Sequence, residues 1–186
     1  MGKQFEAISP EMQKWIEHQK MFFVATAPLS ETGHINCSPK GLDTFRIIGA
    51  NTAIYQDLTG SAAETIAHLQ ENKRIVIMFC AFDGPPKIVR LHGTGEVITE
   101  NHADYAELAE QFPPRLGFRS YIRITATRIS DSCGYAVPLY DFKQDRDVLD
   151  KYSLNKGEEG LKEYRKQKNK VSIDGLPGYN QPANEQ

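Results

Sequence analysis

Strand-like segments follow one another along this chain with almost no helix between them. Runs rich in β-branched and aromatic residues predict strands at 21–27, 34–38, 46–49, 52–56, 74–82, 87–99 and 119–129. Parallel strands need long crossovers, usually helices, so this order excludes a doubly wound parallel sheet and favours antiparallel pairing. Gly93 and Gly95 interrupt the longest of these segments, where a bulge would help the sheet to curl. We therefore predict a mainly β protein, an antiparallel barrel of about six to seven strands with flanking helices.

One helix interrupts the strand order, and its start is the most informative part of the chain. The stretch Tyr55–Thr65 predicts the end of a strand, a turn at Gly60 and a helix over residues 61–71, with the S-x-x-E spacing of a capping box at its start. A helix that opens just after a strand presents free backbone N–H groups and the positive end of its dipole. Together these form a seat for a phosphate group. The alternative, that the turn is no more than a capped helix start, stays open at this point.

Composition and charge exclude several functional classes. The 186 residues carry a formal net charge of -2, which gives no reason to expect a nucleic-acid partner. The longest apolar runs, 21–27 and 75–82, are less than half as long as a membrane-spanning helix. The start of the chain lacks the cationic and apolar segments of a signal peptide, so we expect a cytoplasmic protein without a membrane segment.

The cysteines and histidines predict neither disulfides nor a metal site. The three cysteines are scattered and form no C-x-x-C pair, which is typical of reduced thiols: Cys37, Cys80 and Cys133. None of the five histidines has the spacing of a zinc motif. Because Cys37 and Ser38 have no His–acid partner at a characteristic distance, we assign no catalytic nucleophile, and the catalytic residues are unknown at this stage.

Several segments match a known family in the same order. They are residues 23–26, 33–41, 57–61, 74–79 and 88–95, together with Thr65, Leu69 and Asn72 in the predicted helix. In this order they resemble the FMN-binding split barrel of the pyridoxamine 5′-phosphate oxidase-like superfamily, over roughly residues 10–135. The tail Val171–Gly178 resembles that of an uncharacterised subgroup of the superfamily.

The resemblance implies that FMN binds at the interface of a homodimer and assigns ten residues to its site. These are Ser38, Pro39 and Lys40 beside the flavin, Asp57, Leu58 and Thr59 near its ring or ribityl chain, Gly60, Ser61 and Thr65 at its phosphate, and Arg90 reaching over from a neighbouring strand or subunit. Where the oxidases carry adjacent basic residues, this chain has Ala62-Ala63-Glu64. Lys40, Arg90 or another arginine would then supply the positive charge.

Some of these residues also have simpler interpretations. Lys40 follows a proline and precedes a glycine, so it could be a solvated lysine in a turn. Arg90 lies between apolar neighbours and needs an anion, which Glu96 could provide instead of a ligand. The arginines of the last predicted strand are expected on a solvated strand face or at a dimer contact: Arg119, Arg123 and Arg128.

The chain divides by composition into a barrel domain, residues 1–139, and a C-terminal extension, residues 140–186. Within the extension, residues 158–170 predict a polar helix, and the residues from Asn180 onward are expected to lack order. The resemblance implies a flavin-dependent oxidoreductase acting on an unidentified small molecule. A non-catalytic flavin-binding module and a cofactor-free interaction barrel are the alternatives.

Overall fold

A computed structural model describes residues 2–180, and in this part of the chain eight antiparallel strands and four helices are found. The strands are β1 (Gln4–Phe5), β2 (Phe22–Thr26), β3 (Asn36–Lys40), β4 (Phe45–Gly49), β5 (Thr52–Leu58), β6 (Arg74–Cys80), β7 (Ile88–Ile98) and β8 (Phe118–Ser132). The helices are α1 (Pro10–His18), α2 (Glu64–Asn72), α3 (Tyr105–Ala109) and α4 (Val148–Lys168). The predicted antiparallel, mainly β fold is confirmed. The two-residue strand β1 was missed because so short a segment carries no periodic pattern.

The sheet curls until its two ends face each other. Seven strands follow the order β3-β2-β6-β7-β8-β5-β4, and β1 pairs with β8 off this path. Although β4 is an edge strand, the Phe45 ring lies 5.1 Å from Phe22 of β2 and 5.0 Å from Phe79 of β6. A flat sheet would keep these strands far apart, so the strands enclose a barrel that is split between β3 and β4. The predicted bulge is confirmed at His92/Gly93, where the register of β7 and β8 shifts.

Alternate residues of each strand fill the barrel. In β6, Ile75, Ile77 and Phe79 are buried in the main core, whereas Val76 and Met78 on the other face are only half-buried. The nearly continuous apolar run of residues 74–82 favours a strand buried on both faces, and this expectation is wrong for the single chain. Antiparallel strands need only one buried face, and the side chains of β6 alternate accordingly.

The helices agree with the sequence patterns at some ends and not at others. The order Ser9-Pro10-Glu11 favours a helix start, and α1 begins there, with the Ser9 hydroxyl accepting a hydrogen bond from the Met12 N–H at 3.1 Å. Helix α2 begins at Glu64 instead of residue 61 and has no side-chain cap. The expected capping box is wrong because the Glu64 carboxylate instead accepts a hydrogen bond from the Ile173 N–H at 3.2 Å.

Three further boundaries differ from the predictions. Strand β3 continues through Pro39 to Lys40, where a turn was predicted, because β3 is an edge strand and tolerates a missing N–H. A surface helix predicted at 101–111 is limited to α3. Helix α4 begins ten residues earlier than predicted and is broken at Gly157, whose φ is 66°. Of the tail expected to lack order, residues 181–186 lie outside the described residues.

Candidate functional site

The loop between β5 and α2, residues 59–63, has free hydrogen-bond donors. The Thr59 N–H donates to the Gly117 carbonyl at 2.7 Å, and the Ala67 N–H to the Ala63 carbonyl at 3.0 Å. Between these, the backbone N–H groups of residues 60–66 donate to no other residue within 2–180. Gly60 and Ser61 are exposed, so a ligand can reach this end of the helix. The geometry agrees with the predicted anion seat, although the helix begins at Glu64.

A buried ion pair lies beneath this loop. Asp57 is 0% exposed, and its Oδ2 accepts a hydrogen bond from Arg119 Nε at 2.7 Å and lies 2.6 Å from Arg119 Nη2 in an ion pair. The Nζ of Lys40 lies 3.4 Å from the other carboxylate oxygen. Burial alone would raise the pKa of Asp57, but Arg119 and Lys40 outweigh it and hold the pKa below its ordinary value. Asp57 is therefore a carboxylate that organises two cations.

A β-bulge brings Arg119 into this site. Asp57 pairs with Ser120 and the next residue, Leu58, pairs with Phe118, so Arg119 has no partner across the ladder. Bulges commonly redirect a side chain beside a functional site. Arg119 is only 5% exposed, and its Nη1 donates to the Ala62 carbonyl at 2.9 Å. The expectation that Arg119 belongs to a solvated strand face is therefore wrong.

Strand β3 supplies a polar row opposite the loop. Asn36, Ser38 and Lys40 share the half-buried face of β3, and the Ser38 hydroxyl donates to the Asn36 amide oxygen at 2.9 Å. Asn36 in turn donates to the Thr65 hydroxyl in the first turn of α2, at 3.0 Å. The structure thus links Ser38 to Thr65 through Asn36, and Lys40 to the buried Asp57.

The C-terminal extension covers the other side of the loop. Arg165 of α4 is 8% exposed and its Nη1 donates to the Thr59 hydroxyl at 3.1 Å. The Asn169 amide donates to the carbonyls of Gly60 at 2.8 Å and Ser61 at 3.3 Å. These bonds hold the two carbonyls toward the extension. Four charged side chains, three cations and one carboxylate, therefore lie around the loop and the end of β5. Because positive charge is in excess, we call them the cationic cluster: Lys40, Asp57, Arg119 and Arg165.

A larger cleft adjoins the cationic cluster at Lys40. Its volume is about 1100 Å³, slightly above the roughly 300–1,000 Å³ typical of small-molecule sites. Pro39 and Lys40 line one wall together with Met21, Leu42 and Phe82, and the facing wall comes from residues 140–152. Lys40 therefore contacts both the buried carboxylate and a mostly apolar space large enough for an aromatic ring system.

Of the predicted residues, Arg90 stands apart from the loop, whereas Leu58 directly precedes it. Arg90 points away from the core, since its neighbours Val89 and Leu91 are buried there, and its Nη1 donates to the Ser132 hydroxyl at 3.0 Å. Within residues 2–180 of the single chain, Arg90 does not join the cationic cluster, and Glu96, its expected alternative partner, is paired with Arg123. Leu58 is half-buried at the bulge.

The residues that sequence analysis missed are Arg119, Arg165 and Asn169. No sequence signal marks the bulge that buries Arg119. Arg165 follows the buried Leu161 by four residues, which places the two on the same helix face. This spacing was a sequence signal from which the burial of Arg165 could have been predicted. Within residues 2–180 no three His, Cys, Asp or Glu side chains group as metal ligands would. The helices found in this range are each too short or too polar to cross a bilayer.

The family of this fold and site follows from comparison with known proteins. A family model described as pyridoxamine 5′-phosphate oxidase matches residues 8–133. This range holds the whole barrel from α1 to the end of β8, including the bulge and the β5–α2 loop. The chain therefore belongs to the pyridoxamine 5′-phosphate oxidase family, and its fold is the split barrel of that family.

A curated relative extends the similarity into the C-terminal extension. The pyridoxamine 5′-phosphate oxidase family protein ustO of Aspergillus flavus is 38% identical over 193 residues, which cover 94% of this chain and 76% of the relative. Among solved structures, HupZ of group A Streptococcus is 27% identical with a TM-score of 0.52, covering 66% of this chain and 91% of HupZ. A candidate pyridoxamine 5′-phosphate oxidase of Lactobacillus delbrueckii, 11% identical with a TM-score of 0.51, covers 68% of this chain and 98% of its own and shares the fold alone.

Proposed function

We propose that this protein binds FMN, with its phosphate at the start of α2 and its ring system toward the cleft beside Lys40. The observation that supports this proposal most strongly is the excess of positive charge around the β5–α2 loop. In the cationic cluster three cations face one carboxylate, a surplus of two positive charges. A phosphate monoester carries about −1.5 to −2 charges at neutral pH, which this surplus would balance.

The residues present fit this cofactor at both ends. The free N–H groups of residues 60–66 supply donors for phosphate oxygens, and the exposed Ser61 hydroxyl lies among them. Glu64, the one carboxylate in the first turn of α2, accepts a bond from the Ile173 N–H instead of standing unpaired. Ser38 and Pro39 would run beside the ribityl chain and ring, as family membership suggests.

The bound flavin would supply hydride or electron transfer, and we propose that the protein is an oxidoreductase acting on a small molecule. The protein would contribute position and charge. Lys40 is the cation that borders both the cluster and the cleft, so it is suited to stabilise negative charge on a reduced ring. The apolar walls of the cleft would keep water from the ring and leave space for an uncharged or aromatic substrate.

The direct test is the variant Ser61→Asp, with Ser61→Ala as its control. An aspartate at this exposed position adds a negative charge against the phosphate without filling buried space, so we expect FMN to be lost from the purified protein. The Ser61→Ala variant should keep most of its FMN because the backbone donors remain. Full flavin occupancy in Ser61→Asp would contradict the proposed seat. Reduction of the wild-type flavin by NADPH, with reoxidation by an added acceptor, would separate an enzyme from a non-catalytic flavin-binding module.

We further propose that the protein acts as a cytoplasmic homodimer. Large apolar side chains are exposed along the segment that follows β8, with Tyr135 82% and Leu139 73% exposed in the single chain, and a second copy would bury such surface. The three cysteines are free, which supports a reducing compartment. Sedimentation equilibrium of the purified protein tests the dimer, and a monomer at micromolar concentration would contradict it.

A further inference from the structure

The two buried arginines beside the β5–α2 loop have unequal partners. Arg119 donates one hydrogen bond to the Asp57 carboxylate and one to the Ala62 carbonyl, and its Nη2 forms an ion pair with the same carboxylate. Arg165 makes a single hydrogen bond within the described residues, to the Thr59 hydroxyl, and its buried Nε has no partner there. A guanidinium carries five N–H donors, so most of the hydrogen-bonding capacity of Arg165 is unused.

The surroundings of Arg165 offer no carboxylate within residues 2–180 to replace those bonds. Burial lowers the pKa of Arg165, and the positive charge of Arg119 adds to this lowering. Tyr179, Glu100 and Glu158 oppose the lowering from a distance, but within residues 2–180 none of the three forms an ion pair or a hydrogen bond with Arg165. A buried charge without a counterion is costly, and proteins keep one where a ligand supplies the missing anion.

The position of Arg165 indicates where that anion would lie. Its one partner, Thr59, is the last residue before the exposed Gly60–Ser61 turn with its free N–H groups. The neighbouring Asn169 holds the Gly60 and Ser61 carbonyls on the side of the extension. A buried, unpaired guanidinium and the open helix start thus converge on one loop from different parts of the chain.

We infer that Arg165 is the phosphate-binding arginine of this protein, so that the C-terminal extension forms part of the cofactor site. The inference rests on the proposed function and specifies which residue replaces the basic pair absent at Ala62-Ala63. A phosphate monoester dianion provides the two negative charges that the cationic cluster lacks with Asp57 alone. Binding would therefore order α4 and the tail against the barrel as well as hold the cofactor.

The test compares FMN with riboflavin, which differ by the phosphate alone, on the full-length flavin-free protein. Flavin fluorescence gives both dissociation constants for the wild type, for Arg165→Gln and for Lys166→Gln. Lys166 is the exposed next residue of the same helix, so its variant removes an equal charge without touching the loop. We expect Arg165→Gln to weaken FMN by about 10- to 100-fold, as loss of a charge-assisted hydrogen bond implies, with riboflavin unchanged. Lys166→Gln should change neither affinity by more than about twofold.

Each outcome separates the inference from the proposed function. If the wild type prefers FMN and Arg165→Gln keeps that preference, Arg165 is a structural arginine only and the inference fails while the proposed function stands. If the wild type binds neither flavin, the proposed function itself fails. Retained riboflavin binding reports that the variant is folded. Should Arg165→Gln not fold, Arg165→Met decides instead: its side chain keeps apolar packing but carries no charge and no donor, so an FMN preference of wild-type size would overturn the inference.

Discussion

The barrel and the described part of the C-terminal extension, residues 140–180, are held in place by different forces. The barrel is filled by apolar side chains that are entirely buried, such as Ile77, Leu91 and Ile122. The extension contributes one large side chain, Tyr179, to that core. Its hydrogen bonds to the barrel include those from Arg165 and Asn169 to the β5–α2 loop itself. The barrel can therefore fold on apolar burial, whereas the position of the extension depends in part on the same groups that form the proposed site.

The largest expected effect on stability comes from breaking the buried ion pair between Asp57 and Arg119, which lies within the barrel. Asp57→Ala leaves Arg119 buried without its carboxylate, which we expect to lower the free energy of unfolding by about 3–5 kcal/mol. The matched control is Glu96→Gln, which breaks the half-exposed pair with Arg123 and should cost about 1 kcal/mol or less. Urea unfolding of both variants measures the difference. Equal losses in the free energy of unfolding would show that the buried pair stabilises the fold no more than a surface pair does.

The same ion pair predicts a pH dependence whose sign is fixed. The pKa of Asp57 lies below its ordinary value of 3.8 in the folded protein, so the unfolded chain binds the proton more readily. The ionised carboxylate therefore stabilises the fold above about pH 4, and this contribution is lost as the pH falls through the lower folded pKa. The stability gap between the wild type and Asp57→Ala should shrink over that range. A gap that stays constant down to strongly acidic pH would contradict the assignment.

Tyr179→Ala tests whether the extension is part of the same cooperative unit as the barrel. Removing this buried ring should cost about 3 kcal/mol, at the lower end of the range for aromatic-to-alanine changes in cores. Because Tyr179 packs in the main core cluster, we expect the single unfolding transition of the whole protein to move, as followed by circular dichroism and by the fluorescence of Trp15. A new, separate transition with the barrel unchanged would mean that the extension folds independently.

The smallest effect concerns the break within α4. Gly157 has φ 66° and ψ 176°, a conformation that is essentially restricted to glycine, and a Cβ there would touch nothing within 4 Å. Gly157→Ala should therefore cost about 1–2 kcal/mol from backbone strain alone. The control Gly160→Ala lies three residues later in helical conformation and should instead stabilise by about 0.5–1 kcal/mol. Thermal unfolding midpoints that move in the same direction for both variants would argue against a break at Gly157.

The barrel was accessible from the sequence because it rests on periodic patterns. Runs of β-branched and aromatic residues predicted β7 and β8, and Gly93 marked the bulge that curls the sheet. The loop after Tyr55 was identified from local turn chemistry. Polar contacts between residues far apart in the sequence produce no local pattern from which they could be predicted. Glu64 accepts a hydrogen bond from Ile173, 109 residues away, instead of forming the predicted capping box. The bulge opposite Asp57 buries Arg119, which the sequence pattern had placed on a solvated strand face.

The central claim is that the anionic end of FMN is bound where α2 begins, and a crystal structure of the full chain with FMN tests it most directly. We predict phosphate oxygens within hydrogen-bonding distance of the Gly60 and Ser61 N–H groups, with the flavin ring extending toward Lys40 and the cleft. FMN bound elsewhere on the barrel, or its phosphate remote from this loop, would contradict the claim.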